Sequence, residues 1–188
     1  MWYNLLEILA YTLRKGGFKL FSVEDVVMYT TYGICKINSI KEETFMGKTE
    51  EYYVLSPLNE SNTEITLPVN NPMTSLRLHP LLSKDEINDL INEIPFIEPY
   101  WIERDNDRKV KFSDIIKSGD RKETIRILKS IKVHTIEIKN KGRKLHATDE
   151  QAMKDATKLI LDEFSYVLNK DRTELFLELD SELSPKIM

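Results

Sequence analysis

FSVEDVVMYTTYGICKINSIKEETFMGKTEEYYVL, residues 21–55, is the stretch that decides the fold. Val23, Val26, Val27, Tyr29, Ile34, Ile37 and Ile40 fall in short β-branched and aromatic runs, which suit a pleated, half-buried surface better than a helix. Thr30-Thr31-Tyr32-Gly33 breaks the first runs as a turn. Met46-Gly47-Lys48 reads as a hairpin tip, with Gly47 supplying a positive φ. EYYVL (51–55) and the alternating TEITL (63–67) predict two more strands, separated by turn residues 57–62. Four or five short strands within about 50 residues are too few for a large sandwich, so the expectation is a small, strongly bent barrel.

Beyond Pro72 the pattern turns helical. Ser83-Lys84-Asp85-Glu86 is a capping box ahead of Ile87, Leu90, Ile91 and Ile94, and Pro95 ends that helix. Pro99 keeps the next segment extended. A helix is predicted from about residue 107 to 117, stopped by Ser118-Gly119. Asp120 caps the next, with Glu123 at the box position, and it reaches about residue 132. Thr148-Asp149-Glu150-Gln151 predicts the cap of a long helix through Leu168, whose stripe runs along Ala152, Ala156, Leu159, Ile160, Phe164 and Val167. A last helix spans about 171–183. The expected class is α+β, a small β module followed by an all-α module.

Charge divides the chain in another way. Residues 101–144 hold fourteen Lys or Arg against seven acids, a net of +7 in a chain of formal net charge −4. Such asymmetry points to a polyanion partner for that part. On the helix after Asp120, Lys122, Arg126 and Lys129 share a face roughly opposite Ile127, Leu128 and Ile131. Arg104, Arg108 and Lys111 fall at helical spacing on the preceding helix. Lys141, Arg143 and Lys144, with Lys139, form a basic loop. Trp101 beside these cations reads either as a stacking or wedging group among phosphate contacts or as ordinary core packing.

Composition excludes several classes. Apolar and charged contents are those of a globular chain. No apolar run is long enough to span a membrane. Residues 1–19 carry apolar residues at helical spacing (Trp2, Leu5, Leu6, Leu9, Leu13), but Glu7 and the late basic pair are wrong for a signal peptide, so an N-terminal extension is expected. Cys35 is the only cysteine and sits in a strand pattern, where it reads as a small buried hydrophobe in a reducing cytoplasm. His79, His134 and His146 show no metal-ligand spacing, and the glycines mark turns rather than a phosphate loop. No catalytic constellation, metal or cofactor is expected.

The order of the pieces resembles the CarD/CdnL family of bacterial transcription regulators. LFSVEDVVMYTTYGICKINSI (20–40) resembles the family's opening segment, while EYYVL and TEITLPVNN (63–71) resemble its next strands. LRLHPLLSKDEINDLI (76–91) resembles its linking helix, KSGD (117–120) a recurring tetrapeptide, and residues 145–168 its late helix. The resemblance spans about residues 20–180. It implies a Tudor-like domain over 20–75 that docks on the RNA polymerase β subunit, a module shared with the transcription-repair coupling factor. It implies a helical DNA-binding domain over 76–188 that meets promoter DNA at the upstream edge of the melted bubble. There a tryptophan wedges into the minor groove and open complexes persist.

Under this resemblance the polymerase-binding candidates are Glu43, Lys48, Glu51, Tyr52, Thr66 and Pro68, on an exposed strand edge. The DNA-binding candidates are Trp101, Arg104, Arg108, Lys111, Lys122, Arg126, Lys129, Lys141, Arg143 and Lys144. The sequence departs from the family in places. Glu24-Asp25 stands for the usual Gly-Asp, Thr30 replaces a proline, and Glu43 and Thr66 occupy positions where relatives place arginines. Trp101 lies about one helical turn further from KSGD than the family's wedge, and Arg108 aligns with its basic residues. The expectation is a non-enzymatic, cytoplasmic, nucleoid-associated regulator, monomeric when free. Two alternatives are a polymerase-binding adaptor without DNA contact and a small-barrel RNA-binding protein using Tyr29, Tyr32, Tyr52 and Tyr53.

Overall fold

The computed structural model describes residues 21–60 and 62–184. The expected extension over 1–19 lies outside the described residues. The chain forms two compact units that divide between Leu81 and Leu82.

The first unit is one antiparallel sheet: β1 (Val26–Tyr29), β2 (Gly33–Phe45), β3 (Lys48–Pro57), β4 (Ile65–Pro68) and β5 (Leu78–Pro80), in the order β4-β3-β2-β1-β5. β2 and β3 join through the two residues Met46 and Gly47, both with positive φ (51° and 78°), the conformation whose twist matches a two-residue hairpin. Gly47 tolerates it because it lacks a Cβ. The register slips between Ile37 and Ser39, leaving Asn38 as a bulge residue; its side-chain amide donates to the Ser56 hydroxyl at 2.6 Å. The bulge keeps alternation intact on both sides, so Cys35, Ile37, Tyr53 and Leu55 stay on one face. That face is the unit's core, joined by Phe21, Val27, Tyr29, Val69 and Leu78.

The expected barrel does not close. β4 and β5 are the two edges of an open sheet, with three strands between them. They are only four and three residues long, too short to fold across and hydrogen-bond each other. The stretch expected as one linking helix is also different. A short helix α1 (Pro72–Arg77) is capped by the Asn71 side chain, and the chain then enters β5. Pro80 is tolerated because it closes an edge strand. The sheet therefore carries the first unit past residue 75 to Leu81.

The second unit is helical: α2 (Lys84–Glu93), a 3-10 turn (Ile94–Phe96), α3 (Asp105–Ser118), α4 (Arg121–Asn140), α5 (Ala147–Leu168) and α6 (Arg172–Leu183). The Ser83–Glu86 capping box forms as read, with both reciprocal bonds present. Gly119, at φ 67°, ends α3 in the left-handed conformation a β-carbon would resist. α4 is longer than expected. The apolar spacing of Ile127, Leu128 and Ile131 continues through Thr135 and Ile138, and periodicity outweighs the weak helix propensity of the β-branched run. α5 begins earlier than expected, with His146 at the cap and Thr148 already inside the first turn. Arg104 caps α3 rather than lying on it.

Ile87, Ile94, Phe112, Ile125, Ile127, Ile131, Ile160, Phe164 and Leu175 form the fully enclosed heart of this unit. Two bidentate ion pairs cross it. Arg121 reaches Glu163 with Nε and Nη2 donating at 2.8 and 2.9 Å, and Leu82 N–H donates to the same carboxylate at 2.9 Å. Arg108 holds Asp149 in the same way, at 2.9 and 2.8 Å. Removing one partner of such a pair strands a buried charge, so each pair fixes where α5 sits against α3 and α4.

Candidate functional site

On the first unit, cross-strand partners decide which side chains share a face. Lys48 opposes Phe45, Glu50 opposes Glu43, Tyr52 opposes both Lys41 and Pro68, and Val54 opposes Thr66. Glu43, Lys48, Tyr52, Thr66 and Pro68 therefore lie on one face, the side away from the Tyr53–Leu55 core. Glu51 lies on the other face, opposite Glu42. Glu43, Lys48 and Thr66 are exposed, and Tyr52 and Pro68 half-buried. Lys48 pairs with Glu50 at 2.6 Å, and the Glu50 hydrogen bond holds the ammonium above its ordinary pKa. Among the described residues β4 pairs only on its β3 side, so its outer edge offers backbone groups to an extended partner.

The tyrosines do not form a stacking platform. Tyr53 and Tyr29 are buried in the core, Tyr53 Oη accepts the Phe21 N–H at 3.1 Å, and Tyr32 stacks on Tyr29. That removes the arrangement the RNA-binding alternative needs. Cys35 is fully buried, its thiol donating to the Gly33 carbonyl at 3.6 Å, as a structural cysteine does.

On the second unit the expected cationic face of α4 is largely committed. Lys129 is buried and donates to the carbonyls of Ile94 and Pro95 at 2.8 and 2.9 Å, closing the C-terminal end of the 3-10 turn where carbonyl dipoles gather. Lys122 pairs with Glu93 at 2.6 Å and Arg126 with Glu123 at 2.9 Å. Arg108, expected to face DNA, is only 3% exposed. Besides Asp149 it donates to Asp105 at 2.7 Å and to the Ile102 carbonyl at 2.6 Å. Arg108 and Lys129 are thus interior cations. Helical spacing alone cannot distinguish a snorkelling cation from one drawn inward by carbonyls and carboxylates. Arg104 and Lys111 are exposed, Arg104 lying 3.5 Å from Asp107.

Trp101, Lys141, Arg143 and Lys144 are brought together. They line a cleft of about 390 Å³ with Glu103, Asp105, Arg108, His134, Glu137, Ile138, Leu145, His146 and Asp149. Trp101 is half-buried and held by two rings and one guanidinium. His134 stacks on it at 3.7 Å with planes 13° apart, Phe112 meets it edge-on at 6.2 Å, and the Arg108 guanidinium carbon lies 4.3 Å from its centroid. Trp101 therefore packs against its neighbours, as the core-packing reading expected, and also walls a cleft lined by both acids and cations. Hydrogen bonding by Arg108 keeps the Asp105 carboxyl below the usual carboxylate range. The Arg108 guanidinium is itself stabilised as a cation, first by its hydrogen bond to Asp149.

Sequence reasoning missed His134 and His146. His134 fell beyond the expected end of α4, and His146 was hidden by placing the α5 cap at Thr148. The continued apolar spacing to Ile138 is the signal that would have put His134 on a helix facing Trp101. Among the described residues no His, Cys, Asp and Glu group is arranged to hold a metal ion, and no helix is long and apolar enough to cross a membrane.

Among the described residues the first unit is an open sheet whose β4 edge is unpaired on its outer side. A family model for the CarD-like/TRCF RID domain matches residues 21–79, all five strands through His79. The β unit is similar to this family's domains, which are non-catalytic modules associated with RNA polymerase in transcription. No curated protein matches the chain.

Proposed function

We propose that this chain is a bacterial transcription regulator that binds the RNA polymerase β subunit through its sheet and promoter DNA through its helical unit, prolonging the open complex. The RID match over residues 21–79 is the observation that carries the polymerase half. An extended polymerase segment adds to the β4 edge, and Glu43, Lys48, Tyr52, Thr66 and Pro68 supply side-chain contacts from one face. Glu51 contributes from the opposite face. Acids and threonine where relatives carry arginines call for a polymerase surface of matching, more basic character.

In the helical unit, Trp101, Lys141, Arg143 and Lys144 around one cleft support a DNA contact made mainly through phosphates. Arg104, Lys111, Lys122 and Arg126 add surface charge, while Arg108 and Lys129 act from within. A factor that binds the open state more tightly than the closed one shifts that equilibrium by its differential affinity alone, with no chemistry of its own. Retention of the polymerase β subunit by the immobilised full chain tests the first half. Trp101→Ala is then expected to shorten open-complex lifetime with polymerase retention unchanged. A full chain that fails to retain the β subunit sinks the proposal.

A polymerase-binding adaptor without DNA contact is the second reading. It is favoured by the pairing of Lys122 and Arg126 with their own carboxylates. Unchanged open-complex lifetime with and without the chain would select it.

A further inference from the structure

His134 and His146 come from α4 and from the cap of α5, yet both line the Trp101 cleft. The charges around them nearly cancel. Glu103, Asp105, Glu137 and Asp149 stand against Arg108, Lys141, Arg143 and Lys144, four carboxylates to four cations. With neutral imidazoles the lining has no net charge, and a phosphate entering it meets little attraction. Histidine is the side chain whose charge changes between about pH 5 and 8. Protonating both rings takes the lining to a net of +2.

Each ring stands beside an acid of the lining. His134 lies against the indole of Trp101 at 3.7 Å, and its Nδ1 is 3.7 Å from Glu137 Oε2. A cation over an indole face is attracted by the ring quadrupole, but the Arg108 guanidinium carbon already lies 4.3 Å from this ring's centroid and repels a second cation there. His146 Nε2 is 3.7 Å from Asp105 Oδ2, while Asp105 Oδ1 is occupied by Arg108. The carboxylates that support these imidazoles also repel an incoming phosphate, so an empty cleft and a filled one balance charge differently.

Resting on the DNA-binding reading above, we infer that His134 and His146 are the phosphate-recruiting residues of this cleft and that the helical unit binds duplex DNA with uptake of protons. Lys141, Arg143 and Lys144 offset the fixed acids, and the two imidazoles supply the surplus charge that a backbone phosphate needs. Affinity therefore rises as pH falls through the histidine range, by up to tenfold per pH unit for each proton taken up.

The test is binding of the full chain to a labelled DNA duplex at fixed ionic strength, at about pH 8 and about pH 6. Affinity is expected to rise by about tenfold or more on acidification, and the salt dependence to steepen by about one to two phosphate contacts. His134→Gln/His146→Gln is expected to lose the gain on acidification, whatever its affinity at the higher pH. Glu137→Gln, at an exposed position, removes a competing acid and is expected to tighten binding several-fold at the higher pH. Binding that does not respond to pH, a double variant that retains the gain, or a Glu137→Gln chain unchanged in affinity would overturn the inference and leave DNA binding standing. Absence of binding at both pH values would overturn the DNA-binding reading and this inference together.

Discussion

Arg108 and Asp149 meet as a bidentate pair at 2.9 and 2.8 Å, with side chains 3% and 4% exposed. This pair ties the first turn of α3 to the first turn of α5 and presents the guanidinium to Trp101. Asp149→Ala is expected to destabilise the helical unit by about 3–5 kcal/mol, because the guanidinium loses its main partner inside the fold. Urea denaturation followed by circular dichroism reads it. A loss within the range of surface substitutions, about 0.5 kcal/mol, would show that the pair is not holding the unit.

Acid stability follows from three carboxyls. Glu86 and Asp171 accept hydrogen bonds at helix starts, Glu86 from Ser83 and Asp171 from the Glu174 and Thr173 N–H groups, and Asp105 accepts from Arg108. All three are held below their ordinary values. Their contribution is present above the unfolded-state values, at about pH 4, and is lost as pH falls through the lowered folded ones. Stability should therefore decline below about pH 4, and Asp105→Asn should flatten part of that decline. An acid limb identical in Asp105→Asn would refute the assignment.

Glu24 sits at φ 77°, in the left-handed region that favours glycine. Its ion pair with Lys36 at 2.6 Å is largely solvent-exposed and contributes little. Glu24→Gly should stabilise the sheet unit by about 0.5–1 kcal/mol, since relief of left-handed strain exceeds the entropic cost of glycine. Thermal unfolding measures this. A lowered midpoint would mean that the Lys36 contact matters more than the backbone.

Tyr100 packs edge-on against Phe112, but its hydroxyl is buried with no hydrogen-bond partner among the described residues, and burial pushes its pKa up. Tyr100→Phe keeps the ring and removes the unsatisfied group. A gain of about 1 kcal/mol is expected in the same denaturation experiment. A loss would reveal a partner for the hydroxyl.

The cations should separate in DNA binding. Arg143→Ala and Lys144→Ala, from the exposed rim of the cleft, should each lower the salt slope by about one. Lys122→Ala should do less, because Glu93 already neutralises that charge. Equal effects at all three positions would point to diffuse surface charge rather than the cleft.

Much of the fold was legible because local chemistry dictated it. Gly47, Ser83 and Asp120 each satisfy a backbone requirement that only a few residue types can meet, and each does what its position implied. The open sheet was not legible, since closure depends on which strands meet, and β5 hides in an apolar stretch that also suits a helix. The geometry of the candidate cleft was half legible. Trp101, Lys141, Arg143 and Lys144 were found by composition, whereas the burial of Arg108 and Lys129 depends on carboxylates and carbonyls distant in sequence. His134 and His146 became neighbours of Trp101 only through the full length of α4 and the start of α5.

β4 offers an open edge, yet it is four residues long and ends in Pro68, whose nitrogen carries no hydrogen. A template that short cannot propagate pairing from one copy to the next, which is how exposed strands seed fibrils. The same brevity leaves room for one extended segment held chiefly by side chains. A short edge ending in proline is thereby protected against pairing with a second copy, while its outer side stays unpaired among the described residues.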